Sequence, residues 1–295
     1  QGLANFQAKS GIQTAVFTPA PTGNEQPVVE KGVRVYRVGI GQRSGWQTFA
    51  HTFRHQTLAR TFSHVIAHEK PNIIHIQHLM GLPFALMDAV IDSNIPYIIT
   101  LHDYWYGCAN GQLITNTNQA ICAGPDRLHL NCGRCAIARA GLNQLTPISP
   151  LVAPLLAYRN RRLQRILRHA AKVIAPTQFV RQTYRQMGAP DDNFTVIRHG
   201  IEIPQQKIAG ILQNQSQQKR PFTGLRIGYI GSIAPQKGTH ILIDAVNQLP
   251  PENITLTLYG SLDTFPDYTA QLRQRARHPG IHFAGRIDRD AVWER

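Results

Sequence analysis

The 295-residue sequence has few acidic residues and no long apolar run. Only 17 Asp and Glu stand against 31 Lys and Arg, a formal charge of +14. This excess favours a polyanionic partner (a phosphate-bearing ligand, an anionic membrane surface or nucleic acid), although a basic balance can also serve solubility alone. No stretch approaches the roughly 20 apolar residues of a membrane helix, and Gln1–Phe6 lacks the basic start and apolar core of a signal peptide. These absences predict a cytoplasmic protein.

Cysteine is also scarce, and all four cysteines lie within Tyr97–Cys135. Cys132 and Cys135 form a C-x2-C pair, and Cys108 and Cys122 precede them. Four thiolates can complete a closed, structural zinc site with no open position for catalysis. In a cytosolic chain a metal is favoured over disulfides. Paired or redox-active thiols and free cysteines are the alternatives.

Strand-like and helix-like stretches alternate along the chain. Strands are predicted at 14–18, 33–38, 73–77, 97–101, 172–175, 194–197, 225–230, 254–259 and 281–283. Helices are predicted at 46–70, 82–92, 155–169, 239–249 and 267–277. This alternation indicates an α/β fold with mostly parallel sheets covered on both faces. The polar stretch 205–222 predicts a linker between domains at 1–204 and 223–295, with a cysteine-rich loop at 103–150 in the first.

The predicted strand 97–101 delivers His102 and Asp103 at its carboxyl end, where open α/β sheets place their binding sites. His102 can act as a base, as a hydrogen-bond donor to a sugar or phosphate, or as a metal ligand, although a lone histidine is more often structural. Asp103 can orient His102 or cap the next turn. Tyr104 and Trp105 suit the apolar face of a sugar.

A second motif follows the strand 225–230. Gly231 and Ser232 open a turn, and Lys237 and Gly238 precede a predicted helix. Glycine allows close backbone approach to a ligand, and a helix N-terminus attracts anions. The motif matches neither the Walker loop nor G-x-G-x-x-G. It predicts a phosphate site; the alternative is an ordinary turn with a surface lysine.

The helix predicted at 155–169 carries leucines and isoleucine on one side and five arginines on the remaining faces. Such a helix can lie on an anionic bilayer. It is equally interpreted as an ordinary amphipathic helix whose arginines are solvated.

The order of these motifs resembles the family 4 glycosyltransferases of GT-B fold, in a cysteine-containing subgroup. The resemblance rests on His75 in a predicted strand with His78 directly after it, Thr100–Trp105, Val173–Thr177, Val196–Ile201, Gly228–Gly238 and Leu258–Gly260. It implies two Rossmann-like domains facing across a cleft, a nucleotide-diphosphate sugar donor, a glycan or lipid acceptor, retention of anomeric configuration and no catalytic metal. It also implies a cytoplasmic enzyme that can contact the inner membrane surface peripherally.

Residue by residue, the resemblance implies that His102, with Asp103 beside it, contacts the transferred sugar near its anomeric carbon. Gly231, Ser232, Lys237, Gly238 and Gly260 are expected to bind the donor. Lys237 would neutralise the diphosphate. Ser232 stands where many members have an arginine, and Arg286 is a candidate to supply that charge.

The family's first strand and an acidic E-x7-E motif are expected outside residues 1–295, so both domains would be incomplete and the chain a fragment that is inactive alone. Alternative functions are a sugar-nucleotide epimerase of the same fold, a scaffold, or a basic, metal-clasped nucleic-acid-binding protein. No nucleic-acid-binding module is recognisable in the sequence.

Overall fold

Strands and helices alternate in the computed structural model, which describes residues 2–24, 26–42, 45–53, 55–200, 208, 224–288 and 291–294. The chain divides into two units, Gln1–Gly200 and Ile201–Arg295. The predicted linker, 205–222, lies outside the described residues apart from residue 208. No helix in the described ranges is both long enough and apolar enough to cross a membrane.

The first unit begins with a helix and continues as alternating strands and helices. In chain order its elements are α1 (Gly2–Lys9), β1 (Ala15–Ala20), β2 (Val28–Glu30), β3 (Val33–Gly39), α2 (Gly45–Phe53), α3 (Gln56–Glu69), β4 (Ile74–Ile76), α4 (Phe84–Asp92), β5 (Tyr97–Thr100), α5 (Leu130–Arg139), α6 (Ser149–His169), β6 (Lys172–Ala175), α7 (Gln178–Gln186) and β7 (Phe194–Val196). A 3-10 helix, Asn143–Ile148, leads into α6.

Two sheets organise this unit. Strands β4, β5, β6 and β7 pair in that order, all parallel. In the other sheet β3 lies between β1, to which it is parallel, and β2, to which it is antiparallel. The prediction of an α/β fold with mostly parallel strands is therefore confirmed. Parallel pairing also brings the carboxyl ends of β4 to β7 to one edge of the sheet.

The core of the first unit forms because β5 and β6 are apolar and are covered by helices. Ile99 and Val173 are completely buried. They belong to one cluster with side chains of α3, α4 and α6, among them Leu58, Val90 and Leu163. Apolar strands without alternation are expected in a parallel sheet buried on both faces. The packing fixes the position of whatever follows β5.

Two helix predictions and one loop prediction need correction. The helix predicted at 46–70 is two helices, because His55 interrupts it and caps α3, its Nδ1 accepting a hydrogen bond from Leu58 N at 3.2 Å. The helix predicted at 155–169 begins at Ser149, since Pro150 fits the first turn, where its missing N–H is not needed. The loop predicted at 103–150 contains α5 and the 3-10 helix, whose polar composition concealed their periodicity.

The second unit repeats the theme with β8 (Leu225–Ile230), α8 (Thr239–Val246), β9 (Ile254–Tyr259), α9 (Pro266–Arg275) and β10 (Ile281–Gly285). Its strands are parallel and pair in the order β10-β9-β8. Buried Ile243, Val246, Leu256, Leu258 and Leu272 form its core. A 3-10 turn, Pro235–Lys237, comes between β8 and α8.

Candidate active site

Polar side chains from three strands meet at the carboxyl edge of the β4–β7 sheet. Gln77 and His78 follow β4, His102 and Asp103 follow β5, and His199 follows β7. Because the strands are parallel, these residues occupy the edge where open α/β sheets bind ligands. The structure thus places both predicted catalytic residues in one cluster.

The His102 imidazole is held by two neighbours. Its Nε2 lies 2.9 Å from Gln77 Oε1, and its ring stacks on that of His199 with centroids 5.2 Å apart and planes 8° apart. Partial burial lowers the pKa of His102, and His199 and His78 lower it further, while Asp103 acts in the opposite direction. A lowered pKa favours the neutral ring at physiological pH.

A chain of hydrogen bonds sets which nitrogen of His102 carries its proton. His75 Nε2 lies 2.8 Å from Thr100 Oγ1 and 3.1 Å from Gln77 Nε2. An amide nitrogen can only donate and an amide oxygen can only accept, so His75 Nε2 accepts from the Gln77 amide and His102 Nε2 donates to Gln77 Oε1. Burial lowers the pKa of His75, which also favours its neutral, accepting form. In this arrangement His102 is protonated on Nε2, and its Nδ1 has no hydrogen-bond partner within the described ranges.

Asp103 serves the turn and His78. Its Oδ1 accepts a hydrogen bond from Trp105 N at 2.8 Å, and its Oδ2 lies 3.2 Å from His78 Nε2. Burial acts to raise the pKa of Asp103, but these two donors outweigh it and the pKa is lowered. Among the described residues no hydrogen bond joins Asp103 to His102. Of the two roles considered for Asp103, the geometry matches capping of the next turn.

The turn after His102 is fixed by a buried arginine. Arg159 of α6 is 1% exposed, and its Nη2 donates to Trp105 O at 2.7 Å while its guanidinium lies 4.5 Å from the Trp105 ring centroid. Burial lowers its pKa to about 10. The expectation that the α6 arginines are all solvated is wrong for Arg159. A sequence signal existed, because Arg159 lies three residues after Leu156 and four before Leu163 on the buried stripe.

The predicted donor-binding glycines line the carboxyl edge of the second unit's sheet. Gly231 N donates to Tyr259 O at 3.0 Å, and Gly260 N donates to Gly285 O at 2.8 Å. A Cβ on Gly260 would stand 2.1 Å from Gly231 O, so only glycine fits there. Arg286 follows directly and is exposed at the same edge. The structure therefore brings Gly231, Gly260 and Arg286 to one edge.

The rest of the motif follows the β8 strand end. Ser232 is exposed, and its carbonyl accepts a hydrogen bond from Tyr229 Oη at 2.9 Å. Lys237 is exposed at the end of the 3-10 turn. Gly238 has φ +69° and is the N-cap of α8, a left-handed conformation in which glycine is favoured. The motif thus presents a lysine beside a helix start.

The four cysteines are free and partly buried, and their segments pack together. Asn110 contacts two of them, with its Oδ1 2.8 Å from Cys108 Sγ and its Nδ2 3.9 Å from Cys135 Sγ. Burial raises the pKa of Cys132 to about 12, and the other three cysteines add to the rise. Within the described ranges, no three His, Cys, Asp or Glu side chains are placed to hold a metal ion. The zinc site stays a prediction.

Two parallel-stranded α/β units, each with its candidate residues at the carboxyl edge of a sheet, define the fold class of the GT-B glycosyltransferases. Solved structures agree with this fold. Sucrose-phosphate synthase from Thermosynechococcus elongatus matches with a TM-score of 0.63 at 16% identity, over 99% of this chain and 65% of that chain.

Two further solved structures have the same fold. An α,α-trehalose-phosphate synthase (UDP-forming) from Burkholderia vietnamiensis matches with a TM-score of 0.56 at 10% identity, over 99% of this chain and 70% of that chain. A glycosyltransferase from Rickettsia africae ESF-5 matches with a TM-score of 0.54 at 13% identity, over 99% of this chain and 64% of that chain. The chain thus spans about two thirds of the length of these structural relatives.

The family is established by the first unit. Residues 1–200 match the glycosyl transferase 4-like domain, and the chain belongs to that family. A search of the curated proteins finds no match. The resemblance to the family 4 glycosyltransferases that the sequence motifs indicated is therefore confirmed.

Proposed function

We propose that the protein of which this chain is part transfers a sugar from a nucleotide-diphosphate sugar to a glycan or lipid acceptor. The observation that carries the proposal is His102, oriented by Gln77 at the carboxyl edge of a sheet within a glycosyl transferase 4-like domain. The fold shared with sugar-phosphate synthases supports the same reaction class.

His102 is assigned to the sugar. Its Nε2–H is engaged by Gln77, so Nδ1 remains to accept a hydrogen bond from a sugar hydroxyl. Trp105 is buried, whereas Tyr104 is only partly buried and can offer its ring to the sugar's apolar face. Protonation of His102 would remove the acceptor, and the lowered pKa keeps it available at neutral pH. Asp103 is a positioning residue that shapes the turn.

The leaving group is assigned to the second unit. Breaking the bond between the anomeric carbon and the phosphate oxygen leaves negative charge on the diphosphate. Lys237 and the N–H groups at the start of α8 would offset that charge. Arg286, at the same strand edge, would supply the charge that Ser232 lacks. Gly231 and Gly260 allow the phosphates to approach the backbone.

Acceptor class, retention, freedom from a catalytic metal and cytoplasmic location are parts of this proposal that rest on the family resemblance. The epimerase alternative shares the donor but releases a sugar or an isomerised donor without forming a new glycoside. Product analysis with an isotope-labelled sugar separates the two reactions.

The test uses the full-length protein and a panel of nucleotide-diphosphate sugars. Calorimetry should show nucleotide-diphosphate binding that Lys237→Ala weakens by about tenfold or more, as expected for loss of one charge-assisted contact. Arg277→Ala is a matched control, since this exposed arginine belongs to the same unit but follows α9. Unchanged affinity in Lys237→Ala would remove that lysine from the donor site.

The second arm concerns chemistry. His102→Ala should abolish sugar transfer while leaving nucleotide affinity nearly unchanged. A fully active variant would contradict the role of His102. Absence of any new glycoside, together with conversion of the donor sugar, would instead favour the epimerase.

A further inference from the structure

The outward face of α6 is apolar in its first half and basic in its second. The exposed residues recur every three or four positions and so share one side of the helix, which we call the α6 stripe: Leu151, Leu155, Tyr158, Arg161, Arg165 and Arg168. Leu151 is 79% exposed and Tyr158 50%. A different stripe of the same helix packs into the core, so Leu151 and Leu155 lie outside its buried face.

The apolar part of the stripe continues into the segment before α6. Leu142, Leu145 and Ile148 are each between 44% and 50% exposed. Single exposed leucines are ordinary, but six large apolar side chains within 17 residues form a patch of the kind that marks an interaction surface. An open groove of about 410 Å³ lies beside this segment, lined by Leu130, Arg134, Thr146, Pro147, Ser149 and Pro150.

Charge around the patch has a single sign. From residue 127 to residue 190 the sequence has eleven Arg and Lys and no Asp or Glu. Some of these cations are used internally, since Arg162 pairs with Asp88 and Arg181 with Asp191. Arg161, Arg165 and Arg168 make no ion pair with any residue that the structure describes. Unpaired cations beside exposed leucines complement a surface that is both anionic and apolar.

We propose that the α6 stripe and the adjoining residues 142–148 dock on an anionic lipid bilayer. The leucines, Ile148 and Tyr158 enter the interface, and Arg161, Arg165 and Arg168 meet lipid phosphates. A tyrosine at the rim is typical of side chains with an apolar body and a polar tip at the headgroup level. Neither the leucines nor the arginines alone select this partner: an acidic protein would not need the exposed leucines, and a neutral apolar partner would not need the unpaired arginines.

Vesicle flotation tests the proposal. The full-length protein should float with vesicles of phosphatidylcholine mixed with phosphatidylglycerol, and not with phosphatidylcholine alone. Binding should weaken as salt rises past about 0.15 M, because the Debye length falls. Flotation that is absent from anionic vesicles, or equal on both compositions, overturns the proposal. Wild-type protein alone decides this arm.

Variants locate the surface. Leu151→Ser with Leu155→Ser should abolish flotation, and Arg161→Gln and Arg165→Gln should each lower the partition coefficient about fivefold, the value of one basic residue near an anionic surface. Phe179→Ser, at a residue 70% exposed on α7, is the matched apolar control, and Arg60→Gln on α3 is the basic control. Equal losses in the control variants would refute the assignment to α6.

One measurement addresses a different occupant. Light scattering without vesicles should give the mass of a monomer for the wild type and for Leu151→Ser. A dimer that Leu151→Ser dissociates would show that a second copy covers the stripe. The docking inference is independent of the proposed transfer reaction, because flotation requires no donor and no turnover.

Discussion

Replacing Gln77 with glutamate tests whether this residue controls the protonation of His102. Gln77 Oε1 lies 2.9 Å from His102 Nε2, so a carboxylate at residue 77 would stand about one hydrogen bond from the imidazole. Opposite unit charges 4 Å apart attract by about 1 kcal/mol in water and about 4 kcal/mol at an effective dielectric constant near 20. His102 is exposed, so the lower part of that range applies. A gain of about 1.4 kcal/mol corresponds to one pKa unit.

The direction follows from the favoured charge state. Burial, His199 and His78 lower the pKa of His102 in the wild type, so the neutral ring persists at pH values below the ordinary pKa of histidine. A carboxylate stabilises the imidazolium, so Gln77→Glu should raise the pKa of His102 by about one unit. The acid limb of kcat/KM against pH should move to higher pH by the same amount, because the protonated ring cannot accept the sugar hydroxyl.

Two readouts test this prediction, and the first of them is independent of the transfer assay. Nuclear magnetic resonance titration of the His102 ring gives the pKa directly, and the pH profile of kcat/KM gives the functional consequence. Gln186→Glu adds the same charge at an exposed residue at the end of α7 and should leave both unchanged. A His102 pKa that is unchanged or lower in a folded Gln77→Glu protein would refute the proposed hydrogen-bond chain.

Three further predictions concern stability and metal content. Hydrogen bonds from Arg34 are the largest influence holding the pKa of Glu69 at about 2, so this stabilisation is complete above the ordinary glutamate pKa and is lost as pH falls toward 2. Urea unfolding at pH 7 should show that Glu69→Gln lowers the free energy of unfolding by about 2 kcal/mol, a value reduced because Arg34 is partly exposed. The difference in stability between wild type and variant should become smaller below about pH 5. A difference that does not change with pH would contradict the Arg34–Glu69 pairing. Arg159→Ala should lower the free energy of unfolding by about 3 kcal/mol, because it leaves a cavity and an unpaired Trp105 carbonyl. Arg161→Ala, at an exposed neighbour, should lower it by less than about 0.5 kcal/mol. Equal losses of stability would show that the buried hydrogen bond of Arg159 does not stabilise the fold. Elemental analysis should find about one zinc per chain, lost in Cys132→Ser, and folded protein without metal would disprove the zinc site.

Sequence predicted the elements whose physics is local. The apolar run 97–101 ends in His102, and the structure places β5 there, because a short β-branched run between polar segments has few other solutions. The sequence likewise predicts the glycine turn after β8 and the lysine before the next helix, and the structure has both. Gln77 and His199 were not predicted as partners of His102, since they come from other strands and meet it only when the sheet forms.

The remaining errors have local causes. Helix α5 carries two cysteines, an asparagine and a glycine in its first turns, so its sequence shows no regular spacing of apolar residues that would predict a helix. Pro150 and Pro154 made the start of α6 resemble a loop, although Pro150 lies in the first turn. The charge of Arg159 predicts a solvated side chain, but its position on the buried stripe of α6 places it in the core. Tertiary packing, which composition does not show, determines its environment.

The buried guanidinium of Arg159 has a mechanical consequence. Arg159 belongs to the helix whose outward face carries the α6 stripe, and its guanidinium donates a hydrogen bond to the carbonyl of Trp105 in the turn that follows His102. The Tyr184 hydroxyl anchors the same turn through the Asp103 carbonyl at 2.8 Å. Any sliding or tilting of α6 must either break the bond to Trp105 or pull the turn along with it. A load applied to the outside of this helix is thus felt at the edge of the sheet where the histidines meet.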